Sequence, residues 1–409
     1  MSAFASTVRP LLVRAVAQAL RAIFVENRHA DRVIEYTLRH HPKAGSRDRA
    51  FIAETTYEIV RHYRLYSAIL GEVPTEEKHF WQLVGIHLIL QTGKEEPDAL
   101  AEWRSLHPQT IRRRARQLCA LRPYRESIPD WLDNIGQEQL GERWDETLAW
   151  LNRPAEVVLR TNRLKTTRDA LRQRLALEGI ETRPHGAADA LVLLRRQNVF
   201  QTKAFREGLF EVQDYSSQQV APLLDAQPGM RVVDACAGGG GKTLHLATLM
   251  QGKGQILALD TLAWKLDELR KRARRAGAHN IETRIIENSK TIKRLYESAD
   301  RLLLDVPCSG LGVWRRNPDG KWKLSPQMLE NLQTTQQRIL QQYCHIVKPG
   351  GLMVYATCSL LPSENQQQIR TFLDSPTGHS FELECERTIW PQEEGFDGFY
   401  LARLRRRGS

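Results

Sequence analysis

Apolar residues recur every three or four positions along the first part of the chain, the spacing that places them on one face of a helix. Leu11, Val16, Leu20 and Ile23 follow this pattern, and runs of alternating β-branched residues are absent from the same part of the sequence. The pattern predicts an all-helical domain over residues 1–125.

An apolar stretch, Val8–Phe24, lies near the start of this domain. Arg14 and Arg21 interrupt it at helical spacing, which favours an amphipathic helix over the uninterrupted core of a signal peptide. We therefore expect no export of the protein.

The pattern changes beyond residue 126, where short apolar runs of strand length flank a helical pattern at Thr167–Glu178. This arrangement predicts a linker and a small α/β module over residues 126–225. The runs are Val157–Leu159, Leu191–Leu194 and Leu209–Val212.

Beyond Pro228 and Gly229, apolar runs alternate with amphipathic helical segments. Buried runs that alternate with helices are typical of a doubly wound parallel sheet with helices on both faces. We predict this α/β architecture over residues 226–409, with the basic end Arg405–Arg407 frayed. The apolar runs are Val232–Val233, Ile256–Leu259, Leu302–Leu304 and Leu352–Tyr355.

Composition limits the class of protein. At 409 residues the chain suits two or three domains of about 150 residues each. Six cysteines are too few for a disulfide framework, so reduced thiols in a cytoplasmic protein are expected. The mean hydropathy is -0.46, and no apolar stretch approaches the ~18 residues of a membrane span. We expect no membrane association and no metal site.

The chain is basic, with 59 Lys and Arg residues against 48 Asp and Glu and a net charge of +11. Such a charge favours a polyanionic partner such as nucleic acid, although many basic proteins simply have a solvated surface. The dense basic run Arg112–Arg116 falls on a predicted helix. It is either part of a nucleic-acid-binding face or an ordinary hydrated helix surface.

A glycine-rich loop, Gly238–Gly241, follows one apolar strand and precedes a helix. Such a loop lets backbone amides approach a ligand closely at the helix N-terminus. A phosphate-binding P-loop would need glycine where Cys236 stands, so an ATPase is disfavoured. Asp260, at the end of the next strand, suits ribose hydroxyls. A nucleoside cofactor is predicted over the alternative, a tight structural turn.

Two cysteines, Cys308 and Cys358, each follow an apolar strand directly, and Asp305 precedes the first. Ligands of open α/β sheets bind beyond the carboxyl ends of the strands, so both thiols should face the same crevice as the glycine loop. A lone cysteine in such a place is often a small buried apolar residue. Two of them beside an aspartate favour a catalytic role.

Together these motifs resemble the RsmB-like (Nop/Sun) family of RNA 5-methylcytosine methyltransferases. The resemblance covers residues 155–402, and the helical N-terminus is more loosely similar to the NusB-like domain of the RsmB branch. It implies a Rossmann-like methyltransferase sheet preceded by a small RRM-like module. The motifs are Asp234–Thr243, Asp305–Gly312, Arg315–Asp319 with Lys321 and Trp322, Thr357–Ser359 with Pro362, Glu364 and Asn365, and also Arg160–Asn162 and Asp397–Tyr400.

The chain departs from the family pattern in several places. The family usually has Ala-Pro where this chain has Gly238 and Gly239, alanine at Val306, arginine at Lys265, and an aspartate near Asn288. A glycine at position 239 leaves more conformational freedom in the loop than a proline would.

The resemblance implies S-adenosylmethionine as the cofactor. It places the methionine moiety against the glycine loop, the ribose hydroxyls on Asp260, and the adenine edge near Asn288, with Lys265 and Asp305 also at the cofactor. The residues alone leave Asn288 open, because an ordinary turn residue fits that position equally well. The residues of the loop are Cys236, Ala237, Gly238, Gly239, Gly240, Gly241 and Lys242.

Cytosine C5 is a poor nucleophile, but a thiolate that adds at C6 makes C5 enamine-like and able to accept a methyl group. Asp305 suits the proton at N3 that this addition requires. Sequence position alone does not assign the thiols: the Pro-Cys pair at Cys308 resembles the nucleophile motif of DNA cytosine methyltransferases. The resemblance to the RNA family implies that Cys358 attacks and Cys308 assists release, and we follow it because Thr357–Ser359 is intact.

We therefore predict an RNA cytosine-C5 methyltransferase, most consistent with ribosomal RNA, that acts as a cytoplasmic monomer. Transfer RNA is an alternative substrate, and DNA stays open because no reader of the 2′-hydroxyl is visible in sequence. An RNA-binding ribosome-assembly factor with little catalysis is a second alternative. A nicotinamide-dependent dehydrogenase would leave the two strand-end thiols unexplained.

Overall fold

A computed structural model describes residues 9–92, 100–186 and 188–408. The chain forms two compact units. The first contains the chain up to Asn152 together with Trp314–Pro326, and the second contains Arg153–Val313 and Gln327–Ser409. Within the described ranges, no helix combines the length and the apolarity needed to span a bilayer.

The first unit is helical, and its core is made of the apolar faces that the sequence pattern indicated. Val16 and Leu20 on the first helix are completely buried; Val8 lies outside the described residues. The α-helices are Pro10–Phe24, Ala30–Arg39, Ser46–Arg61, Tyr63–Leu70, Glu77–Thr92, Pro108–Cys119, Arg122–Arg125, Asp130–Leu140, Arg143–Leu151 and Gly320–Lys323, with a 3-10 turn at Ala101–Trp103.

The helical unit extends past the boundary expected at residue 125. Two further helices continue it to Leu151 before the first strand begins at Val158. Trp144 on the last of them is fully buried, and its indole nitrogen donates to the buried Asp133 carboxylate at 2.8 Å. The Arg122 guanidinium donates to the same Asp133 carboxylate at 2.9 Å, which joins these helices to the preceding part of the unit. They lie in the stretch that the sequence assigned to a linker and the small α/β module.

The segment Trp314–Pro326, which the sequence placed among the methyltransferase motifs, packs inside the helical unit. The Trp322 indole donates to the Val60 carbonyl at 2.7 Å, and the buried Lys321 ammonium donates to the Asn152 side chain at 3.1 Å. Burial lowers the pKa of Lys321 well below its usual value. Deleting the N-terminal helices would uncover these groups, so point substitutions are the cleaner way to study this unit.

The second unit begins with a small antiparallel sheet in the order β2-β3-β1-β4. The helix Arg168–Leu177, predicted at Thr167–Glu178, buries Leu171 and Leu175 in the core of this sheet. The strands are β1 Val158–Thr161, β2 Thr182–Pro184, β3 Ala190–Leu193 and β4 Phe210–Val212.

The remainder of the second unit is a seven-stranded sheet in the order β10-β11-β9-β8-β5-β6-β7. Its strands β5 to β9 run parallel, which confirms the predicted doubly wound, Rossmann-like α/β fold. The strands are β5 Arg231–Asp234, β6 Gln255–Asp260, β7 Ile281–Ile285, β8 Ala299–Asp305, β9 Val347–Thr357, β10 Phe381–Ile389 and β11 Phe399–Arg406.

Helices cover this sheet and connect its strands. The longest are Gly241–Leu249, Ala263–Ala276, Pro326–Tyr343 and Gln366–Leu373. Shorter α-helices lie at Lys203–Arg206, Tyr215–Gln218, Val220–Leu223, Ser289–Lys293 and Pro391–Glu394, and 3-10 turns at Val199–Gln201, Leu311–Val313, Cys344–Ile346, Pro362–Glu364 and Gly378–Ser380.

The antiparallel strands β10 and β11 correct the expectation of a frayed basic end. Arg405 pairs with Leu352 of β9, and the Arg406 guanidinium donates to the Val347 carbonyl at 2.6 Å. Tyr400 and Leu404 on the same strand are completely buried. The apolar residues that alternate with the arginines are held in the core, and they keep the basic end in the sheet.

Candidate active site

The sheet order brings the ends of four neighbouring parallel strands to one edge. Strands β5, β6 and β8 end at Asp234, Asp260 and Asp305, and β9 ends at Thr357, directly before Cys358. This edge is where open α/β sheets bind their ligands. The glycine loop and both thiols therefore lie on the same side of the sheet, as the sequence indicated.

The glycine loop has a conformation that requires glycine. Gly240 has a φ of +86°, and a Cβ there would lie 2.5 Å from Leu269 Cγ. Gly238 also has a positive φ, +54°, but a Cβ there would meet no atom within 4 Å. The loop is packed against the protein on one side and faces open space at Gly238.

An arginine stiffens the loop where the family has proline. Arg272 donates from one guanidinium nitrogen to the Gly239 carbonyl at 2.6 Å and from another to Glu211 at 2.9 Å. The Glu211 carboxylate is itself buried. This fixed cation restrains the loop that the two glycines would otherwise leave more mobile.

Asp260 is 8% exposed, and both of its carboxylate oxygens accept backbone amides. The donors are Gly238 and Leu262, each at 2.9 Å. Lys265 is half-buried, with its ammonium 5.9 Å from the centre of the exposed Trp264 ring. Asp260 thus joins the glycine loop to the start of the following helix.

Asn288 is exposed and has a structural role. Its side-chain oxygen accepts the Lys290 amide at 2.9 Å and caps the short helix Ser289–Lys293. This is the local role that the sequence left open for it, and no contact of its side chain ties it to the glycine loop or the thiols.

Lys242 forms an ion pair with Asp305 that the sequence did not indicate. Its ammonium donates to the Asp305 carboxylate at 2.6 Å and lies 5.2 Å from the centre of the Phe399 ring. Burial disfavours the charged ammonium, but the hydrogen-bonded carboxylate outweighs it and raises the pKa of Lys242. The pair places a charged ammonium close enough to Cys358 for the two groups to interact electrostatically.

The two thiols lie side by side, with Sγ atoms 3.4 Å apart. The hydrogen bond with Cys358 and burial together raise the pKa of Cys308 well above its usual value, and the Glu364 carboxylate adds to the effect. A thiol held protonated is a poor nucleophile. The two sulfur atoms therefore share one hydrogen bond, and the proton on one side of it disfavours a thiolate there.

Glu364 is a site residue to which sequence reasoning gave no role. It is completely buried, and its carboxylate accepts hydrogen bonds from Ser309 and Ser359, the residues that follow Cys308 and Cys358. An acidic residue six positions after Cys358 was the available signal. The sequence could not indicate these hydrogen bonds, because they form only where the loops of Cys308 and Cys358 lie side by side.

Asp234 lies beneath the glycine loop and is almost completely buried. The Thr243 hydroxyl donates to it at 2.7 Å. Burial, with the nearby Asp305 carboxylate, raises the pKa of Asp234 from 3.8 to about 7. The folded protein therefore retains a proton here at pH values where the unfolded chain has lost it.

This retained proton predicts how stability depends on pH. Because the folded pKa is the higher one, the free energy of unfolding falls as pH rises from about 4 to about 7, and Asp234→Asn removes that decline. We expect the variant to gain about 2–4 kcal/mol relative to the parent between pH 4 and pH 7.5. Urea unfolding at both pH values measures this difference, and the exposed Asp374→Asn is the control. An equal pH dependence in parent and variant would contradict the assignment.

Comparison with known proteins agrees with this geometry. Residues 221–405 match the family model of the 16S rRNA methyltransferase RsmB/F, and residues 128–200 match its ferredoxin-like domain. A probable ribosomal RNA small subunit methyltransferase B of Synechocystis is 32% identical, with 95% of this chain and 97% of that protein covered. The ribosomal RNA small subunit methyltransferase B of Pasteurella multocida is 37% identical, with 68% and 65% covered.

Solved structures show the same fold. The crystal structure of PH0851 is 25% identical with a TM-score of 0.82, and the comparison covers 98% of this chain and 99% of that one. A methyltransferase homolog from Pyrococcus horikoshii is 28% identical with a TM-score of 0.62, and 70% and 97% are covered. The predicted resemblance, the methyltransferase class and the S-adenosylmethionine cofactor are thereby confirmed. The chain belongs to the RsmB/F family of S-adenosylmethionine-dependent RNA methyltransferases.

Proposed function

We propose that this chain methylates C5 of a cytosine in small-subunit ribosomal RNA through a covalent cysteine adduct. The observation that carries the proposal is the pair of thiols 3.4 Å apart at the ends of β8 and β9. Asp305, paired with Lys242, ends the first of these strands. A nucleophile, a second thiol and a proton donor are the groups that this chemistry needs.

The residues at the strand ends fit S-adenosylmethionine. Open space at Gly238 leaves room for a ligand against the loop, and the Asp260 carboxylate retains lone pairs for ribose hydroxyls. The loop from Cys236 to Lys242 would hold the methionine moiety, with Lys265 near it. The cofactor supplies an electrophilic methyl group. Asn288 is the weakest member of the proposed set, because its oxygen is committed to a helix cap.

In the first step the Cys358 thiolate adds to C6 of the cytosine. A carbon–sulfur bond forms, the C5–C6 double bond is lost, and the electron pair moves onto the ring while N3 gains a proton. We assign that proton to the carboxyl of Asp305, which ends β8 three residues before Cys308. C5 then has the enamine character needed to accept a methyl group.

In the last step Cys308 gives its thiol proton to the departing Cys358 sulfur and takes the proton of C5, the C6–sulfur bond breaks, N3 returns its proton to Asp305, and the C5–C6 double bond returns. The sulfur of Cys358 is bonded to C6 throughout, so a second group must take part. Cys308 is in contact with that sulfur. We assign it to the proton transfers that accompany release.

The names of the relatives support ribosomal RNA as the substrate. Transfer RNA is the alternative. We further propose that the helical unit is a NusB-like RNA-binding domain, that the small sheet is the RRM-like module, and that the enzyme acts as a monomer in the cytoplasm. The next experiment also tests the second candidate, an assembly factor with little catalysis.

The experiment combines the purified protein, methyl-labelled S-adenosylmethionine and total RNA from cells that lack the enzyme. Nucleoside analysis should show label in 5-methylcytidine, at a site within small-subunit RNA. Label confined to transfer RNA would support the alternative substrate. Tight RNA binding without label would favour the assembly factor.

The cofactor assignment predicts the effect of changing Asp260. Asp260→Ala removes the proposed charged hydrogen bonds to ribose and is expected to weaken S-adenosylmethionine binding by about 2–3 kcal/mol. Calorimetry measures the affinity, and Asp267→Ala, an exposed carboxylate on the next helix, is the control. Unchanged affinity in Asp260→Ala would contradict the assignment.

The RNA-binding assignment predicts the effect of removing charge from the basic helix. Arg113 and Arg116 are exposed on Pro108–Cys119. Replacing both with alanine should reduce the slope of log affinity against log salt by about 1.4 to 1.8 units, since each lost phosphate contact contributes about 0.7 to 0.9. Filter binding over a salt series gives the slope. The control changes Arg32 and Arg39 on another helix of the same unit, and equal slopes for all proteins would indicate a merely hydrated surface.

A further inference from the structure

The buried Glu364 side chain is hydrogen-bonded both to the loop that contains Cys308 and to the loop that contains Cys358. One carboxylate oxygen accepts the Ser309 amide at 2.8 Å and the Gln336 side-chain amide at 3.0 Å. The other accepts the hydroxyls of Ser309 and Ser359. The Tyr355 hydroxyl donates to the Glu364 carbonyl at 2.7 Å and fixes the residue to β9. The partners of the buried side-chain oxygens are therefore an amide N–H, a side-chain amide and two hydroxyls, all groups that can donate.

The loop of Cys358 has anchors that do not involve this carboxylate. The Gly312 amide donates to the Cys358 carbonyl at 2.9 Å, and the Asn365 side chain donates to the Ser359 carbonyl at 3.0 Å. The Thr357 hydroxyl accepts the Ser359 amide at 3.2 Å. Cys358 directly follows the buried end of β9, so these bonds hold it in place without Glu364.

The loop of Cys308 depends on Glu364 to a much greater extent. Both the amide and the hydroxyl of Ser309 donate to the carboxylate. On the other side of Cys308, the Pro307 carbonyl accepts the Gln336 amide at 2.9 Å, and this same amide is bonded to Glu364. Removing the carboxylate would break both of its hydrogen bonds from Ser309, the residue after Cys308. It would also leave the Gln336 amide, which holds Pro307 before Cys308, with one partner fewer.

We propose that Glu364 is a positioning residue for the release step, because it holds Cys308 against Cys358 through Ser309 and Gln336. This inference rests on the proposed function, which assigns attack to Cys358 and release to Cys308. Attack needs only the independently anchored cysteine. Release needs the two sulfur atoms in contact, and that contact is what Glu364 maintains.

The test compares Glu364→Ala with Cys308→Ala on the same RNA. A displacement of about 1 Å commonly costs about 10²-fold in rate, so Glu364→Ala should slow turnover about 10²-fold. Its single-turnover methyl transfer should stay close to that of the parent. The unreleased intermediate should accumulate as a protein–RNA adduct that survives denaturing electrophoresis, as it should in Cys308→Ala.

Two further variants separate positioning from general loss of structure. In Glu364→Gln the amide oxygen can accept from Ser309 and Gln336 while the amide nitrogen donates to the two hydroxyls, so turnover should recover and the adduct should disappear. Asp133→Ala removes another buried carboxylate, one in the helical unit. It should lower the melting temperature without accumulating adduct.

The possible results separate a failure of the role proposed for Glu364 from a failure of the proposed function. If Cys308→Ala forms adduct and Glu364→Ala does not, Glu364 has no role in release and the inference is overturned. If neither forms adduct, the assignment of Cys308 to release fails first. If Glu364→Ala loses single-turnover transfer and turnover equally, Glu364 serves attack as much as release, which also contradicts the proposal.

Discussion

Cys358→Ala is expected to abolish methyl transfer, by a factor on the order of 10⁴ or more, as loss of a nucleophile generally does. RNA affinity should stay unchanged, because the substitution removes one sulfur atom and none of the basic residues proposed to bind phosphates. Cys308 is 3.4 Å away in the parent but does not substitute, since burial and the Glu364 carboxylate still raise the pKa of its thiol in the variant. Labelled methyl transfer and filter binding measure the two effects.

Cys308→Ala is expected to behave differently from Cys358→Ala. Attack and methylation continue, but the C6–sulfur bond no longer breaks efficiently, so a covalent protein–RNA adduct accumulates. Denaturing electrophoresis with labelled RNA detects it. Adduct in Cys358→Ala and none in Cys308→Ala would reverse the assignment and make Cys308 the nucleophile.

Asp305→Asn is expected to have the second-largest effect, a loss of about 10²–10⁴-fold in turnover. The amide is nearly isosteric but does not hold the N3 proton, and Lys242 loses its charged partner at 2.6 Å. Cofactor affinity measured in parallel distinguishes a loss of proton transfer from a loss of binding.

A double variant shows at which step Asp305 acts. If Asp305 provides the proton for addition, then Asp305→Asn combined with Cys308→Ala should form no adduct, because attack itself fails. Adduct at the level of Cys308→Ala alone would place Asp305 after the addition step and contradict the mechanism.

The parallel strands β5, β6, β8 and β9 were predictable because their apolar runs are buried, whereas β7 is largely exposed. Runs such as Leu302–Leu304 read as continuous apolar segments, and turn residues separate them. The strand Phe381–Ile389 has only its two ends buried, so its polar middle gives no such signal. The segment Trp314–Pro326 lies within the family match over residues 221–405, but its packing with the N-terminal helices could not be predicted, because its neighbours in sequence belong to the methyltransferase sheet.

The site was predictable to the extent that it follows from strand ends. Asp260, Asp305 and the two cysteines lie at one edge because parallel strands end there. The pairing of Lys242 with Asp305 and the bonds made by Glu364 depend on side chains meeting across loops. The periodicity and spacing of residues along the chain do not indicate which side chains from different loops come into contact.

The measurement that tests the central claim most directly identifies the cysteine bonded to the base. RNA containing 5-fluorocytosine traps the adduct in the unmodified protein, because fluorine at C5 cannot leave as the proton does. After digestion with a protease and a nuclease, mass spectrometry locates the nucleotide on a peptide. We expect the nucleotide on Cys358. A nucleotide on Cys308, or no trapped nucleotide although 5-methylcytidine forms in ordinary RNA, would contradict the account.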